Sequence, residues 1–232
     1  MISATLLHPV KAEYSAWIKQ GFPVLKARVK PKPAEESDAE FIAITLNMRM
    51  RLRELTERLG RGAITLDEWN DQFATILQRA HFESWIAGKV RGGDLAAPTI
   101  TDAMMARAAK DAELVWLNNF TAQLMARDPR YFSEDGLLKI DAVAGRAETY
   151  SQKLRGTANV AFVETSHVLD EINWVMTTVE HCADCPRLEA LSPYTKDTLF
   201  TYPGGGDTSC LFRCGCELRR SDGVNSFAMV EL

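Results

Sequence analysis

A chain of 232 residues that is 46% apolar, 25% charged and 9% aromatic, with 14 glycines and 9 prolines, can bury a sizeable core. This composition excludes collagen-like, low-complexity and wholly disordered classes. No apolar run approaches the roughly 20 residues that span a bilayer. The opening MISATLLHPVKAEY lacks the basic flank, apolar core and small-residue exit of a signal peptide, so a soluble protein made in a cytoplasm is expected. The net charge of −4 argues against a wholly basic nucleic-acid binder.

The charge is uneven along the chain. Lys11, Lys19, Lys26, Arg28, Lys30 and Lys32 stand against Glu13 alone, leaving residues 1–33 at +5 and the remainder at −9. A basic arm on an acidic body is suited to contact a partner protein or a nucleic-acid backbone, and a solvated linker is the plainer reading. Within it, Tyr14, Trp17 and Ile18 share one side of a short predicted helix over 10–20. Pro23, Pro31 and Pro33 then break up residues 21–37 into a linker. Lys26, Arg28, Lys30 and Lys32 are the candidate partner-binding residues.

The next stretch reads as helices. Ser37 or Asp38 is placed to cap a long helix carrying Phe41, Ile42, Leu46, Met50, Leu52, Leu55 and Leu59, ended by the glycines at 60 and 62. Its Arg49, Arg51, Arg53 and Arg58 are expected to be solvated or paired with neighbours such as Glu54 and Glu57. Thr65-Leu66-Asp67-Glu68 is a capping box. Trp69, Phe73, Ile76, Leu77 and Ala80 follow at helical spacing, and Gly92-Gly93 provides a stop.

After a loop over 94–99, Thr101 or Asp102 is expected to cap a third helix, whose stripe includes Met105, Ala109, Ala112, Val115, Trp116, Phe120 and Leu124. Ser133 is expected to open a fourth, through Ile140, Val143, Ala147, Tyr150 and Leu154 towards His167. Helices joined by short loops make a bundle. His81 and His167 stand apart from any carboxylate or cysteine group and read as surface or satisfied, partly buried residues. No nucleophile elbow, zincin helix or phosphate loop is present, and Gly204-Gly205-Gly206 reads as a turn.

The five cysteines carry the chemistry. Cys182, Cys185, Cys210, Cys214 and Cys216 fall within 35 residues, in C-x2-C and C-x3-C-x-C groups, and none occurs earlier. An odd number, without a secretion signal, disfavours a simple disulfide framework. A predicted strand at Ile172, Trp174 and Met176 leads to the first group, and a loop over 191–207 separates it from the second. Zinc needs four ligands, with sulfur at about 2.3 Å. Cys182, Cys185, Cys210 and Cys214 are the candidates, and Cys216 is the alternative if 214–219 is extended. His181 is also available. Free or disulfide-bonded cysteines compete with zinc, whereas redox catalysis lacks a helix start within a thioredoxin-like pattern. Residues 180–220 sum to −1, and four zinc-bound thiolates add −2, the wrong sign for a phosphate-gripping finger.

The string Trp174-Val175, Glu180-His181-Cys182-x-Asp184-Cys185, Leu188, then Gly206-Asp207-Thr208-x-Cys210-x3-Cys214-x-Cys216, resembles the C-terminal region of tailed-phage minor head proteins of the Mu F-type head-morphogenesis group. It departs from an N-C-R-C-like element in carrying Arg213-Cys214-Gly215-Cys216, and Cys210 stands about where others have a His. The segments Ile64-Thr65-Leu66-x-Glu68-Trp69, His81 and Gly88, then Phe120, Gly136-Leu137-Leu138 and Tyr150, extend the likeness over about 40–218.

The resemblance implies a non-catalytic virion component acting in head assembly near the portal or capsid. Its expected partners are portal, major capsid or neck subunits, with packaged DNA as a further one, and it is expected in multiple copies of a symmetric assembly. It is expected in the virion, and in the host cytoplasm during assembly; no membrane is expected. The alternative is a zinc-containing nucleic-acid-binding or DNA-associated protein. The expected architecture is mainly α: a basic arm and linker (1–37), a multi-helix bundle (38–170), and a β-hairpin, zinc-ribbon-like cysteine module with tail (171–232).

Overall fold

A computed structural model describes residues 34–177 and 181–229. The basic arm, with Lys26, Arg28, Lys30 and Lys32, and the short helix expected at 10–20 lie outside the described residues. The chain is mainly helical, with a small antiparallel sheet and a cysteine cluster towards its C-terminal end.

The first helix, α1 (Ala34–Gly60), begins ahead of the expected cap at Ser37 or Asp38. Glu35 and Glu36 occupy its first turn, where negative charge offsets the helix dipole, and Ser37 is buried within the helix. Phe41, Ile44, Thr45, Met48, Leu52 and Leu55 face the core. Ile42, Leu46 and Met50, expected with them, are exposed instead, Met50 at 71%. Apolar residues lie on two sides of this helix, and the body covers one. Arg49 and Arg53 are held by Glu148 and Asp141 from a distant helix, not by Glu54 and Glu57, and Arg58 donates to Gln72 at 3.0 Å.

The expected capping box starts α2 (Leu66–Gly92): the Thr65 hydroxyl accepts from the Glu68 amide at 3.2 Å, and Glu68 accepts from the Thr65 amide at 2.8 Å. Gly93 ends it with φ 99°, a left-handed cap that suits glycine. Trp69, Phe73 and Leu77 bury one stripe, while from Ala80 to Val90 the helix is buried on every side. It is the central rod of the body, packed by α1, by α3 (Ile100–Met125) and by α5 (Leu154–Glu164).

Thr99, not Thr101 or Asp102, caps α3. Asp102 serves at the third helical position, accepting from the Thr99 amide at 2.7 Å while also taking bonds from Trp85 Nε1 and Lys89 Nζ. Those two bonds fix the first turn of α3 to α2. Ala103, Ala106, Leu117, Phe120 and Leu124 turn inward, and Val115 and Trp116 lie exposed. Ser133 opens a turn closed by a Phe132–Leu138 bridge, so the next helix, α4 (Ile140–Glu148), starts late. A 3-10 turn over Thr149–Lys153 then interrupts the path to α5.

Strands β1 (Ile172–Val175) and β2 (Glu217–Arg220) pair antiparallel, with Trp174 opposite Leu218. Residues 176–216 connect them, a long excursion that includes the short helix α6 (Asp184–Ala190). Phe162 and Val163 of α5 share a core with Trp174, Leu188, Tyr194 and Leu218, so the body and the sheet are packed together. The tail returns to the body, where Phe227 stacks on Phe41 at 4.6 Å. No described helix is long and apolar enough to cross a membrane.

Candidate metal centre

Cys182 and Cys185 lie at the entrance to α6. The Cys185 amide donates to the Cys182 carbonyl at 3.2 Å, which turns both sulfurs to one side, 3.3 Å apart. The pair leads into a helix of only 7 residues, and the strands on either side of it pair antiparallel, unlike a parallel βαβ unit. Cys210 precedes a 3-10 turn over Leu211–Arg213, and Cys214 follows it. Cys214 and Cys216 are both fully buried as the chain runs into β2, consistent with two residues on one face of an extended segment.

The sulfurs of Cys182, Cys185 and Cys210 lie within 4.8 Å of one another, as do those of Cys185, Cys214 and Cys216. Cys185 belongs to both groups, and its sulfur is 4.0 Å from that of Cys214. A tetrahedral ion with Zn–S bonds of about 2.3 Å requires sulfurs about 3.8 Å apart, so these spacings suit a metal after small adjustments. The four candidate ligands are divided between the two groups, Cys182 and Cys210 in one and Cys214 with Cys216 in the other, and Cys185 joins them. His181 is exposed and belongs to neither group.

The thiols are unequal. Burial opposes ionisation of Cys182, but hydrogen bonds with Cys185 and Cys210 and from the amides of Asp184 and Cys185 outweigh it and lower its pKa to about 7. Burial raises Cys210 to about 11 and pushes Cys185 well up. Cys214 is also raised, first by its hydrogen bond with Cys216 and then by burial. Such a cluster is costly to ionise without a cation, and a soft divalent ion supplies one.

The residues holding these loops were not legible beforehand. Asp184 accepts from the Ser209 amide at 2.8 Å and the Ser209 hydroxyl at 2.6 Å, tying the two cysteine groups together. Thr208 Oγ1 lies 3.3 Å from the Cys210 sulfur, and Thr177 donates to the Gly215 carbonyl at 2.5 Å. Above all, Arg155 of α5 is 3% exposed and donates to the carbonyls of Cys214, Cys216 and Phe227. The negative charge of a thiolate cluster nearby complements this buried cation.

His81 is more deeply placed than expected, at 1% exposure. It meets Thr157 Oγ1 at 2.8 Å through Nδ1, with Glu113 Oε1 3.0 Å from its other nitrogen. Lys153 approaches the second Glu113 oxygen at 3.4 Å and lies over the rings of Trp116, Tyr150 and Phe212. This network is joined through Phe212 to the cysteine loops. A cleft of about 450 Å³ lies between α1, α4 and residues 212–213, with Arg49 and Glu148 on its wall already paired. In comparisons with protein-family models, curated proteins and solved structures, the chain has no match.

Proposed function

We propose that this chain is a non-catalytic structural protein of a tailed-phage head, in which zinc held by Cys182, Cys185, Cys210 and Cys214 clips the C-terminal loops. The observation that carries the metal reading is the convergence of five cysteine sulfurs from two chain segments into one largely buried cluster. The ion supplies a cross-link between residues 182–185 and 210–214, where little regular structure exists to do so. The resemblance of the cysteine strings to Mu F-type minor head proteins supports the phage assignment. In this reading the arm, with Lys26, Arg28, Lys30 and Lys32, docks on a portal, capsid or neck subunit or on packaged DNA.

A DNA-gripping finger is a weaker fit. The module sums to −1 before any thiolate ionises, and Arg49 and Arg53 of α1 are engaged by Glu148 and Asp141.

Purified protein is expected to contain about one zinc per chain, the number a single four-thiolate site holds. Cys182→Ser is expected to lower both zinc content and the hydrogen-exchange protection of residues 181–229. A zinc-free protein whose melting profile is unchanged by chelator would remove the metal. A disulfide map joining Cys182 or Cys185 to the later cysteines would replace it.

A further inference from the structure

The fifth cysteine is the unexplained part of the metal centre. One zinc takes four thiolates, yet all five sulfurs converge, and they do so as two triads. Cys182, Cys185 and Cys210 form one; Cys185, Cys214 and Cys216 form the other. Cys185 alone belongs to both, its sulfur 3.3 Å from that of Cys182 and 4.0 Å from that of Cys214. Three sulfurs in a plane around one ion, at bonds of about 2.3 Å, stand about 4.0 Å apart. Each triad, with its sulfurs within 4.8 Å of one another, has the compactness of a three-thiolate site.

Chemistry narrows the occupant. Donor sets made only of thiolate select zinc, iron–sulfur clusters or Cu(I). An iron–sulfur cluster spreads its cysteines around several irons and sulfides, and sulfurs this close leave no space for that core. Zinc completes a tetrahedron and leaves Cys216 unused. Cu(I) is soft, singly charged and satisfied by three sulfurs, so two ions use all five thiols with Cys185 as the bridge. Burial gives the two triads an order. Cys182 and Cys210 are partly exposed, whereas Cys185, Cys214 and Cys216 are buried. The outer triad meets solvent first, and Cys185 links it to the inner one. Arg155, which donates to the carbonyls of Cys214 and Cys216, sets a cation beside the inner triad's negative charge.

We propose that the cysteine centre is also a binuclear Cu(I) site, with one ion in each triad and the Cys185 sulfur bridging them, and that it takes two copper ions in exchange for one zinc. The inference rests on the reading that these cysteines hold metal; it does not depend on the phage assignment. Starting from the five free thiols, loading replaces their S–H bonds by bonds to copper and passes their protons to the buffer. Copper enters and remains as Cu(I), so no electron is transferred.

The test is an oxygen-free titration of the full chain with Cu(I), supplied as its acetonitrile complex, against a chromophoric Cu(I) chelator as competitor. About two copper ions per chain are expected at saturation, with about one zinc released from zinc-loaded protein. X-ray absorption should show about three sulfurs per copper and a copper–copper path, the signature of a shared thiolate. Cys214→Ser combined with Cys216→Ser should halve the copper bound, and circular dichroism checks that the helices remain. Cys216→Ser alone should keep its zinc, because the four zinc ligands are intact, while the mean number of sulfurs per copper falls. A single copper per chain at saturation overturns the proposal. So do two coppers in two-sulfur sites with no copper–copper path. Both results use the unchanged chain, so a misfolded variant cannot mask them. The two readings fail separately: zinc with a single copper keeps the zinc clip and removes the copper pair. A copper pair without zinc affinity does the reverse, and a chain that binds neither metal ends both.

Discussion

Arg155 shows how much a single buried side chain can organise. Its three donors reach carbonyls on both sides of Gly215 and one near the tail, so it sets the path of two segments at once. Arg155→Met keeps much of the apolar stem but leaves three buried carbonyls without this donor, each costing about 1–3 kcal/mol. We expect a loss of about 3 kcal/mol or more in denaturant unfolding at fixed zinc concentration. Arg155→Lys should recover only part of it, because an ammonium cannot reproduce the planar fork. A variant as stable as the parent would show that the tail and cysteine loops hold their own shape. Nothing local marked this arginine: it sits in an ordinary helical stretch, and its acceptors come from residues far along the chain. The cysteines were legible because both their type and spacing are chemical signals.

Among the elements, α2 and α5 cross closely at Gly88. A Cβ built on Gly88 meets the Ala158 carbonyl and comes within 2.8 Å of the Ala161 Cβ. Gly88→Ala gains about 1 kcal/mol in helix propensity, but it wedges backbone from backbone, an overpacking cost of about 1–3 kcal/mol or more. Net destabilisation is expected. Gly145 in α4 has nothing within 4 Å of the same position, and Gly145→Ala should stabilise by up to about 1 kcal/mol. Thermal melts of the two variants check both signs, and equal shifts would contradict the crossing geometry. Helix existence was readable from periodicity, and the start and stop of α2 from Thr65, Glu68 and Gly93. Less legible was which face each helix buries. On α3 that depended on Asp102 reaching Trp85 and Lys89, and on α1 on which of two apolar sides the body covers.

For the whole molecule, the arm and the folded part are separable questions. Residues 21–33 have three prolines and four basic residues with no acidic one, a composition with little to bury. Under the proposed assembly role, deleting residues 1–33 should leave the helical signal and the melting of the body intact while preventing entry into particles. Quantifying the truncated protein in purified particles decides this. Normal incorporation would transfer docking to the body or the cysteine loops. The mainly helical class with a small sheet was evident from composition and spacing. The shared core between α5 and the sheet was not, because Phe162 and Val163 look like any other inward pair on a helix.

The same buried arginine also imposes a timetable. Phe227, one of its acceptors, is added 72 residues after Arg155. At about 5–20 residues per second, that interval lasts roughly 4–14 s. For the first 59 residues of it a nascent chain carries α5 with a cation that has no native acceptor, because the Cys214 and Cys216 carbonyls come only then, and Phe41 lacks its stacking partner throughout. The growing polypeptide can therefore assemble its helices early. It cannot close the seam between α1 and Phe227 until translation has passed that residue.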